Sequence, residues 1–202
     1  MIWIYGASGH GRVILDILEA SGMEVAGFVD DNEALHEWLG YPVIRKENMG
    51  HKDEVIMGIG SNAQRKKVIE SLSCKFVNAI HPGAVVSKRT VMGTGNVIMA
   101  GAVIQSGSTL GSHVIVNTGA TVDHDCEIGD YAHISPGVTL CGNVKVGSGT
   151  WIGAGSTVIQ GVTIGKNVVV GAGSVIRKNV PDQVLIVGNP PQILKKLKPD
   201  GW

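Results

Sequence analysis

The chain has 202 residues, enough for one large domain or two modest ones, and we expect two. Its 17 Lys and Arg residues balance its 17 Asp and Glu residues, so we expect no overall field that would attract nucleic acid or an anionic membrane. No run of 18 apolar residues is present, and the N-terminus lacks the basic segment of a signal peptide, which predicts a cytoplasmic protein without a membrane span.

The beginning of the chain has the order of elements that is typical of a nucleotide-binding α/β unit. Ile2–Tyr5 is a short apolar strand, and the glycine turn GASGHG at 6–11 leads from it into an amphipathic helix. A second predicted strand at 25–29 ends in Asp30 and Asp31. Strand, glycine turn, helix, strand and terminal acid together predict a Rossmann-like βαβ unit.

The glycine turn is weak evidence by itself, because many turns of this kind use glycine only to reverse the chain. In this setting, however, the backbone amides at the start of the helix can hold a diphosphate. The two acids can accept hydrogen bonds from a ribose or a base. We therefore expect a nucleotide ligand.

A third predicted strand at 55–60 and a helix at 64–72 complete this first unit. About three strands are too few for a complete dinucleotide fold, so a nucleotide sugar suits the unit better than NAD. The pattern changes near Ala79, and we expect a first domain at residues 1–79.

From residue 80 to residue 181 the sequence repeats every six residues without an insertion. The first position of each hexad is a branched aliphatic residue or Met, and the fifth is mostly small or β-branched. This period predicts a parallel β-helix over 80–181, followed by a C-terminal cap at 182–202. Three hexads would form one triangular coil, so residues that are three hexads apart should stack.

One histidine stands out in the middle of the repeats. His124 lies between Asp123 and Asp125 at the third place of a hexad, where it should reach a corner of the prism. Carboxylates beside an imidazole can orient it and make it more basic, as a general base near neutral pH requires. A solvated surface histidine is the alternative. His113, at a corner-like fourth place, is predicted to be a surface residue.

The coil length predicts where further site residues lie. His133 follows His124 by half a coil, so the two rings should lie on opposite sides of one prism. They could meet only between neighbouring subunits, which predicts a cyclic oligomer with sites at its interfaces. Gly142 follows His124 by three hexads, one full coil, so its backbone amide should lie beside the imidazole, where it could stabilise an oxyanion.

The cysteines are three in number, and their spacing does not match a metal site. Cys74, Cys126 and Cys141 are predicted to be reduced thiols, and we expect no bound metal. Cys126 and Cys141 lie near His124, so a covalent cysteine intermediate is a minor alternative to direct general-base chemistry.

Taken together, these motifs resemble a known family. The hexads resemble the left-handed β-helix acyltransferases, and the glycine turn at 6–11, the acids Asp30 and Asp31, and the segment GIGSN at 58–62 narrow the match. The chain is similar to the nucleotide-amino-sugar N-acetyltransferases of bacillosamine biosynthesis and to the sialic-acid O-acetyltransferases. The C-terminal VGNPP at 187–191 resembles their usual exit sequence, with Pro191 in place of Ala.

The resemblance implies a role for each matching residue. His124 would be the general base, tuned by Asp125, where relatives usually have Glu. The implied ligand contacts are Ser8, Gly9 and His10 for the phosphates of the sugar nucleotide, Asp30 and Asp31 for uridine, Gly60 for the substrate, His133 for acetyl-coenzyme A, and Ala154 and Ala172 for its pantetheine arm. It also implies a homotrimer.

The function that follows is acetyl-CoA-dependent N-acetylation of the 4-amino group of a UDP-linked 4-amino-4,6-dideoxy sugar. Two alternatives stay open at this point. One is O-acetylation of a sugar hydroxyl such as that of sialic acid, and the other is a non-catalytic β-helix scaffold.

Overall fold

A computed structural model describes residues 1–198, and the last part of the predicted C-terminal cap, 199–202, lies outside the described residues. The chain begins with an α/β layer. The bounds of its elements are β1 Ile2–Tyr5, α1 Gly9–Ala20, β2 Val25–Val29, β3 Glu37–Trp38, β4 Tyr41–Ile44, a 3-10 helix Lys46–Asn48, β5 Glu54–Met57, α2 Asn62–Ile69 and β6 Lys75–Phe76.

The α/β layer contains one six-stranded sheet with the strand order β3-β4-β2-β1-β5-β6. Strand β1 pairs in parallel with both β2 and β5, so the carboxyl ends of these three strands meet at one edge. We expected about three strands, and that number was too low. The additional strands β3, β4 and β6 lie at the sides of the sheet, and β3 and β6 have only two residues each.

The β-helix follows, and it consists of 17 two-residue strands, β7–β23. Their bounds, in order, are Ala79–Ile80, Val85–Val86, Val91–Met92, Val97–Ile98, Val103–Ile104, Thr109–Leu110, Ile115–Val116, Thr121–Val122, Glu127–Ile128, His133–Ile134, Thr139–Leu140, Lys145–Val146, Trp151–Ile152, Thr157–Val158, Thr163–Ile164, Val169–Val170 and Val175–Ile176. The second residue of each strand is the predicted hexad anchor.

Every third strand belongs to the same face of the prism. The first face contains β7, β10, β13, β16, β19 and β22, the second β8, β11, β14, β17, β20 and β23, and the third β9, β12, β15, β18 and β21. Paired strands are parallel and their partners lie one full coil apart in the sequence, as Ile98 and Val116 do. The predicted fold class, a Rossmann-like unit followed by a left-handed parallel β-helix, is confirmed.

The inside of the prism is a continuous apolar column. The anchors from Ile98 to Ile176 are buried and form one cluster with small residues of the fifth places, such as Ala102 and Ala120. Polar residues at fifth places are satisfied by neighbouring coils: the Thr150 hydroxyl donates to the Gly165 carbonyl at 2.7 Å. Each coil therefore depends on its neighbours for burial and for hydrogen bonds.

The α/β layer rests on the first face of the β-helix. Outward-facing residues of its first coils, Ala79, Val97 and Ile115, share a buried cluster with Ile14 and Leu18 of α1. Because the two parts share this core, the division into domains at 79/80 stays a prediction.

The C-terminal end of the prism is covered by a hairpin. Strand β24, Val184–Val187, continues the first face beside β22, and β25, Gln192–Lys196, pairs with it in antiparallel orientation. No helix among residues 1–198 is long and apolar enough to cross a membrane.

Candidate active site

His124 lies at the corner between the second and third faces, on the segment that joins β14 to β15. Its side chain is 55% exposed, and its Nδ1 atom is 2.9 Å from Asp125 Oδ2. The backbone N–H of His124 donates to Asp123 Oδ1 at 2.8 Å. Asp125 has a left-handed backbone, with φ 57°, which turns its carboxylate toward the ring. Asp125, although its side chain is shorter than that of Glu, therefore reaches the imidazole.

This contact determines where the imidazole carries its proton. A carboxylate only accepts hydrogen bonds, so Nδ1 of His124 is the donor to Asp125 and Nε2 keeps its lone pair. The hydrogen bond to Asp125, followed by the charge of Asp123, raises the pKa of His124 above its ordinary value. An exposed ring with a free Nε2 and raised basicity can act as a general base.

Gly142 lies one coil further along, directly beside the His124 ring. A Cβ atom at this position would be 2.5 Å from His124 Nε2 and 2.6 Å from Cε1. Among residues 1–198 the Gly142 amide donates no backbone hydrogen bond to another residue. The predicted position of Gly142 beside the ring is thus present, and its amide is available to a ligand.

The two thiols near this corner are engaged in packing. Cys126 is completely buried and its Sγ donates to the Cys141 carbonyl at 3.3 Å. Burial is the main reason that the pKa of the Cys126 thiol is raised. A protonated, buried thiol is a poor nucleophile, so this geometry favours direct transfer over an acetyl-cysteine.

The glycine turn leads into α1 at the carboxyl edge of the sheet. Ser8 is the N-cap of the helix, and its Oγ donates to the Gly58 carbonyl at 3.0 Å. Gly11 is required by packing, because a Cβ there would overlap the Gly6 carbonyl oxygen. Gly9 is exposed, and a Cβ on it would meet no atom within 4 Å. The open surface over Ser8 and Gly9 is where a phosphate can approach the helix N-terminus.

The two acids after β2 have different surroundings. Both oxygens of Asp30 accept backbone hydrogen bonds, Oδ2 from Ala7 and Oδ1 from Asn32, each at 2.9 Å. Within residues 1–198 Asp31 accepts only the Tyr5 hydroxyl, at 3.2 Å, and it is exposed. Burial, followed by the charge of Asp31, raises the pKa of Tyr5 to about 12. Asp30 therefore holds the turn, and Asp31 is the acid that is free to meet a ligand.

His133 begins β16 on the first face and points outward beneath the α/β layer, where it is only 7% exposed. Its ring stacks on Trp151, with centroids 5.7 Å apart. Asn117 Nδ2 lies 3.1 Å from His133 Nε2, and Asn117 Oδ1 accepts from the Thr118 amide. Asn117 therefore donates to Nε2, which leaves the His133 proton on Nδ1, a buried atom that lies beside the Gly60 backbone but makes no hydrogen bond of good geometry among the described residues.

His10 has a similar unpaired atom close by. Its Nε2 is buried and has no partner among residues 1–198. Burial, followed by the charge of Arg65, lowers the pKa of His10 to about 4 and that of His133 to about 3. Gly60 lies near both rings. A Cβ on Gly60 would be 4.0 Å from His10 Cγ, and the interaction of His133 with the Gly60 backbone partly offsets the lowering of the His133 pKa. Two neutral imidazoles thus flank Gly60 at the junction of the α/β layer and the β-helix.

The structure distributes the predicted residues of the β-helix and its junction with the α/β layer over three places. His10, Gly60 and His133 lie at the first face, whereas His124 lies at the corner opposite that face. Ala154 and Ala172 are exposed at a third place, the corner between the first and second faces.

Two further residues were missed by the sequence interpretation. Arg65 and Asn62 of α2 reach the β-helix, although the sequence predicted only a helix at 64–72 and no contact between that helix and the repeats. His113 was predicted to be at the surface, and this was wrong: it is 5% exposed and stacked on Tyr131. No group of His, Cys, Asp and Glu in the described part of the chain could hold a metal ion.

A hexapeptide β-helix with an exposed His–Asp pair beside a free glycine amide defines an acyltransferase of the hexapeptide-repeat class. Comparisons with known proteins narrow the class. Residues 1–72 match the PglD N-terminal domain, and residues 107–142 and 143–178 match the bacterial transferase hexapeptide (six repeats). The chain belongs to the family of sugar N-acetyltransferases that joins these two parts.

Solved structures match nearly the whole chain. A mutant of perosamine N-acetyltransferase from Caulobacter crescentus, in complex with CoA and GDP-perosamine, is 37% identical with a TM-score of 0.90, covering 96% of this chain and 97% of that one. The acetyltransferase domain of PglB from Neisseria gonorrhoeae, in complex with acetyl coenzyme A, is 39% identical with a TM-score of 0.89, covering 96% and 98%.

Among curated proteins, UDP-N-acetylbacillosamine N-acetyltransferase of Bacillus subtilis is 39% identical over 107 residues. This match covers 48% of the present chain and spans half the length of that relative.

Proposed function

We propose that this protein transfers an acetyl group from acetyl-coenzyme A to the 4-amino group of a UDP-linked 4-amino-4,6-dideoxy sugar. The observation that carries the proposal is the exposed His124, which has its proton on Nδ1, a free Nε2 and the amide of Gly142 beside it. The relatives named above are sugar N-acetyltransferases or carry an acetyltransferase domain, which favours an amine over a hydroxyl as acceptor.

The sugar nucleotide would bind at the carboxyl edge of the α/β sheet. Ser8, Gly9 and His10 would hold its phosphates, because Ser8 and Gly9 are exposed at the N-terminus of α1 and the space over Gly9 is open. Asp31 would accept hydrogen bonds from the nucleoside, with Asp30 fixing the turn beneath it. Gly60 would then contact the sugar.

Acetyl-coenzyme A would bind along the prism. His133 would offer its buried Nδ1–H, which has no well-formed hydrogen bond among the described residues, to a carbonyl oxygen of the coenzyme. Ala154 and Ala172 stack on successive coils at an exposed corner, and each is followed by a glycine whose Cβ would meet no atom within 4 Å. This corner leaves room for the pantetheine arm.

In the proposed reaction, the amine nitrogen attacks the thioester carbonyl carbon while Nε2 of His124 takes up its proton. Asp125 stabilises the imidazolium that forms. The Gly142 amide donates to the tetrahedral oxyanion. As the C–S bond breaks, the imidazolium returns the proton to the leaving thiolate, so the base is regenerated.

A complete site would need two subunits of a homotrimer. His124 points away from the face that carries His133, so one chain cannot bring both to one substrate. A cyclic trimer would place the His124 corner of one subunit against the first face of the next. We place the enzyme in the cytoplasm, where its three free thiols stay reduced and acetyl-coenzyme A is available.

The test is thiol release from acetyl-coenzyme A with UDP- and GDP-linked 4-amino sugars and with free sialic acid. We expect release with a UDP-linked amino sugar. Thiol release with the GDP-linked sugar alone would show that the substrate carries GDP and not UDP. Release with sialic acid would favour O-acetylation, and release with none of the acceptors would favour a non-catalytic scaffold. His124→Ala should lower kcat by about 10²–10⁴-fold and leave a folded trimer; near-normal turnover in that variant would end the assignment of the base.

The interface is tested by mixing two inactive variants. His124→Ala keeps His133, and His133→Ala keeps His124. If neighbouring subunits share a site, co-refolding equal amounts should restore activity at about one quarter of the sites, the share expected from random assembly of a cyclic trimer. Mixtures as inactive as the parents would contradict shared sites.

A further inference from the structure

Arg65 on α2 is a buried cation without a carboxylate partner. It is 1% exposed, and no ion pair involves it within residues 1–198. A guanidinium that loses its water normally pairs with an acid. The hydrogen-bond partners of Arg65 are all neutral carbonyl and amide oxygens. Directed hydrogen bonds, and not pairing with an opposite charge, therefore fix the position of the guanidinium.

The guanidinium binds both parts of the molecule at once. Nε donates to the His113 carbonyl at 3.2 Å, and Nη2 donates to the Tyr131 carbonyl at 2.9 Å. Nη1 donates to the carbonyls of Ile59 and Gly60 at 3.1 and 3.0 Å. Arg65 thus joins the loop after β5 to the corner between the third and first faces of the β-helix.

Asn62, one turn earlier on α2, extends this contact to a third coil. Its Oδ1 accepts from Arg65 Nη2 at 2.9 Å, and its Nδ2 donates to the Gly149 carbonyl at 3.0 Å. The three carbonyls contacted by the pair, at 113, 131 and 149, belong to three successive coils and stack along one corner. The start of α2 is therefore aligned with the coils of the prism.

The loop that Arg65 holds is also packed against the glycine turn. Ser8 Oγ donates to the Gly58 carbonyl at 3.0 Å, and a Cβ on Gly58 would be 3.0 Å from Gly11 Cα. Displacement of the loop would therefore move Gly60 relative to His133 and disturb the turn that starts α1.

We propose that Arg65 is a positioning residue of the acetyl-transfer site, holding the Gly58–Gly60 loop and the imidazoles beside it in register with the β-helix. The inference rests on the proposed function and adds a residue to its site. Lys cannot replace Arg here, because an ammonium group does not present the planar set of five donors.

The charge of Arg65 has a second effect on the same site. It is the next cause after burial for the lowered pKa values of both His10 and His133. Burial lowers the pKa of Arg65 itself only to about 10, so it stays charged at neutral pH. Removing this charge should raise both histidine pKa values.

The experiment compares wild type with Arg65→Gln, Arg65→Lys and the control Lys66→Gln. Lys66 is the next residue on the same helix and carries the same charge, but its side chain is 56% exposed. Ring ¹⁵N chemical shifts at pH 5, hydrogen exchange of residues 58–65, and the separate values of kcat and KM are measured on the intact protein.

In Arg65→Gln we expect protonation of His10 to increase at pH 5, exchange of the loop to accelerate, and kcat to fall. Arg65→Lys should keep both rings neutral and still show faster loop exchange and a lower kcat. Lys66→Gln should match wild type in all three. If Arg65→Gln fails to fold, the Arg65→Lys results decide.

The proposal is overturned if Arg65→Lys, or Arg65→Gln where it folds, has wild-type loop exchange and kcat. Failure of the proposed function looks different: wild type would release no thiol with any amino sugar, while the ring shifts and loop exchange would still respond to Arg65→Gln.

Discussion

The imidazole of His124 and the backbone of Gly142 lie so close that no side chain fits between them. A Cβ at 142 would be 2.5 Å from His124 Nε2, the atom that is left unprotonated by the contact with Asp125. The repeat of three hexads per coil therefore puts a bare amide beside the proposed base.

Gly142→Ala should impair catalysis more than folding. The added methyl group must displace an exposed ring, which costs the fold little but moves Nε2 by about 1 Å, and such a misplacement can lower kcat on the order of a hundredfold. Thiol release and thermal unfolding are measured together. In a His124→Ala background the same substitution should leave the melting temperature unchanged, and a large drop there would mean that Gly142 serves the β-helix itself.

Asp125→Asn should move the acidic limb of the kcat/KM profile to lower pH. The base works when deprotonated, so its rate falls as pH drops through its pKa, and that pKa is raised mainly by the hydrogen bond to Asp125. Without the carboxylate the pKa falls, while the plateau also drops because the ring loses its orientation. Glu127→Gln, which removes an exposed acid paired with Lys145 nearby, is the control and should leave the limb in place. An unshifted limb in Asp125→Asn would contradict the role given to this acid.

Matched Asp→Asn substitutions should distinguish the roles of the two acids after β2. Asp30 accepts two amides on two different oxygens, so Asp30→Asn turns an NH₂ group toward one donor and should cost about 1–3 kcal/mol of unfolding free energy. Asp31→Asn can still accept the Tyr5 hydroxyl, so it should leave stability unchanged and raise KM for the sugar nucleotide. Urea unfolding and KM together check both; equal stabilities would contradict the assignment of Asp30 as the structural acid.

Stability should fall as the solution becomes acidic. Burial lowers the pKa of His113 to about 4, below the ordinary 6.5 of an unfolded histidine. Between these values the unfolded chain binds a proton that the folded chain does not, so the unfolding free energy decreases as pH falls. His113→Asn, with a residue type that occurs at 143 and 167 in the same left-handed conformation, should reduce that slope by one proton. Urea titrations between pH 7 and 5 measure it, and an unchanged slope would show that His113 titrates normally.

The β-helix could be predicted in detail because its period is written directly in the sequence. Each anchor from Ile80 to Ile176 is the second residue of a strand, since a coil without insertions lets every hexad face the same environment. The same spacing of three hexads per coil predicted that Gly142 lies beside His124. These contacts are local in the repeat, so spacing alone determines them.

Contacts between the α/β layer and the prism could not be predicted in this way. Arg65 lies among Gln64, Lys66 and Lys67, and nothing in that order marks which cation is buried. His113 occupies a corner place that is normally exposed, but Phe76 packs edge-on against it and α2 covers it. Both outcomes depend on how one layer docks on another, which neither periodicity nor propensity encodes.

The unbroken stacking also restricts how this chain can change in length. Removing one hexad would rotate everything beyond it by a third of a turn, so the β24–β25 hairpin would meet the wrong face. Removing or duplicating three hexads together would keep all three faces aligned and would shift the cap by one strand spacing, about 4.8 Å. Gain or loss of whole coils beyond Trp151 is therefore the change in length that leaves the arrangement of His10, His124 and His133 intact.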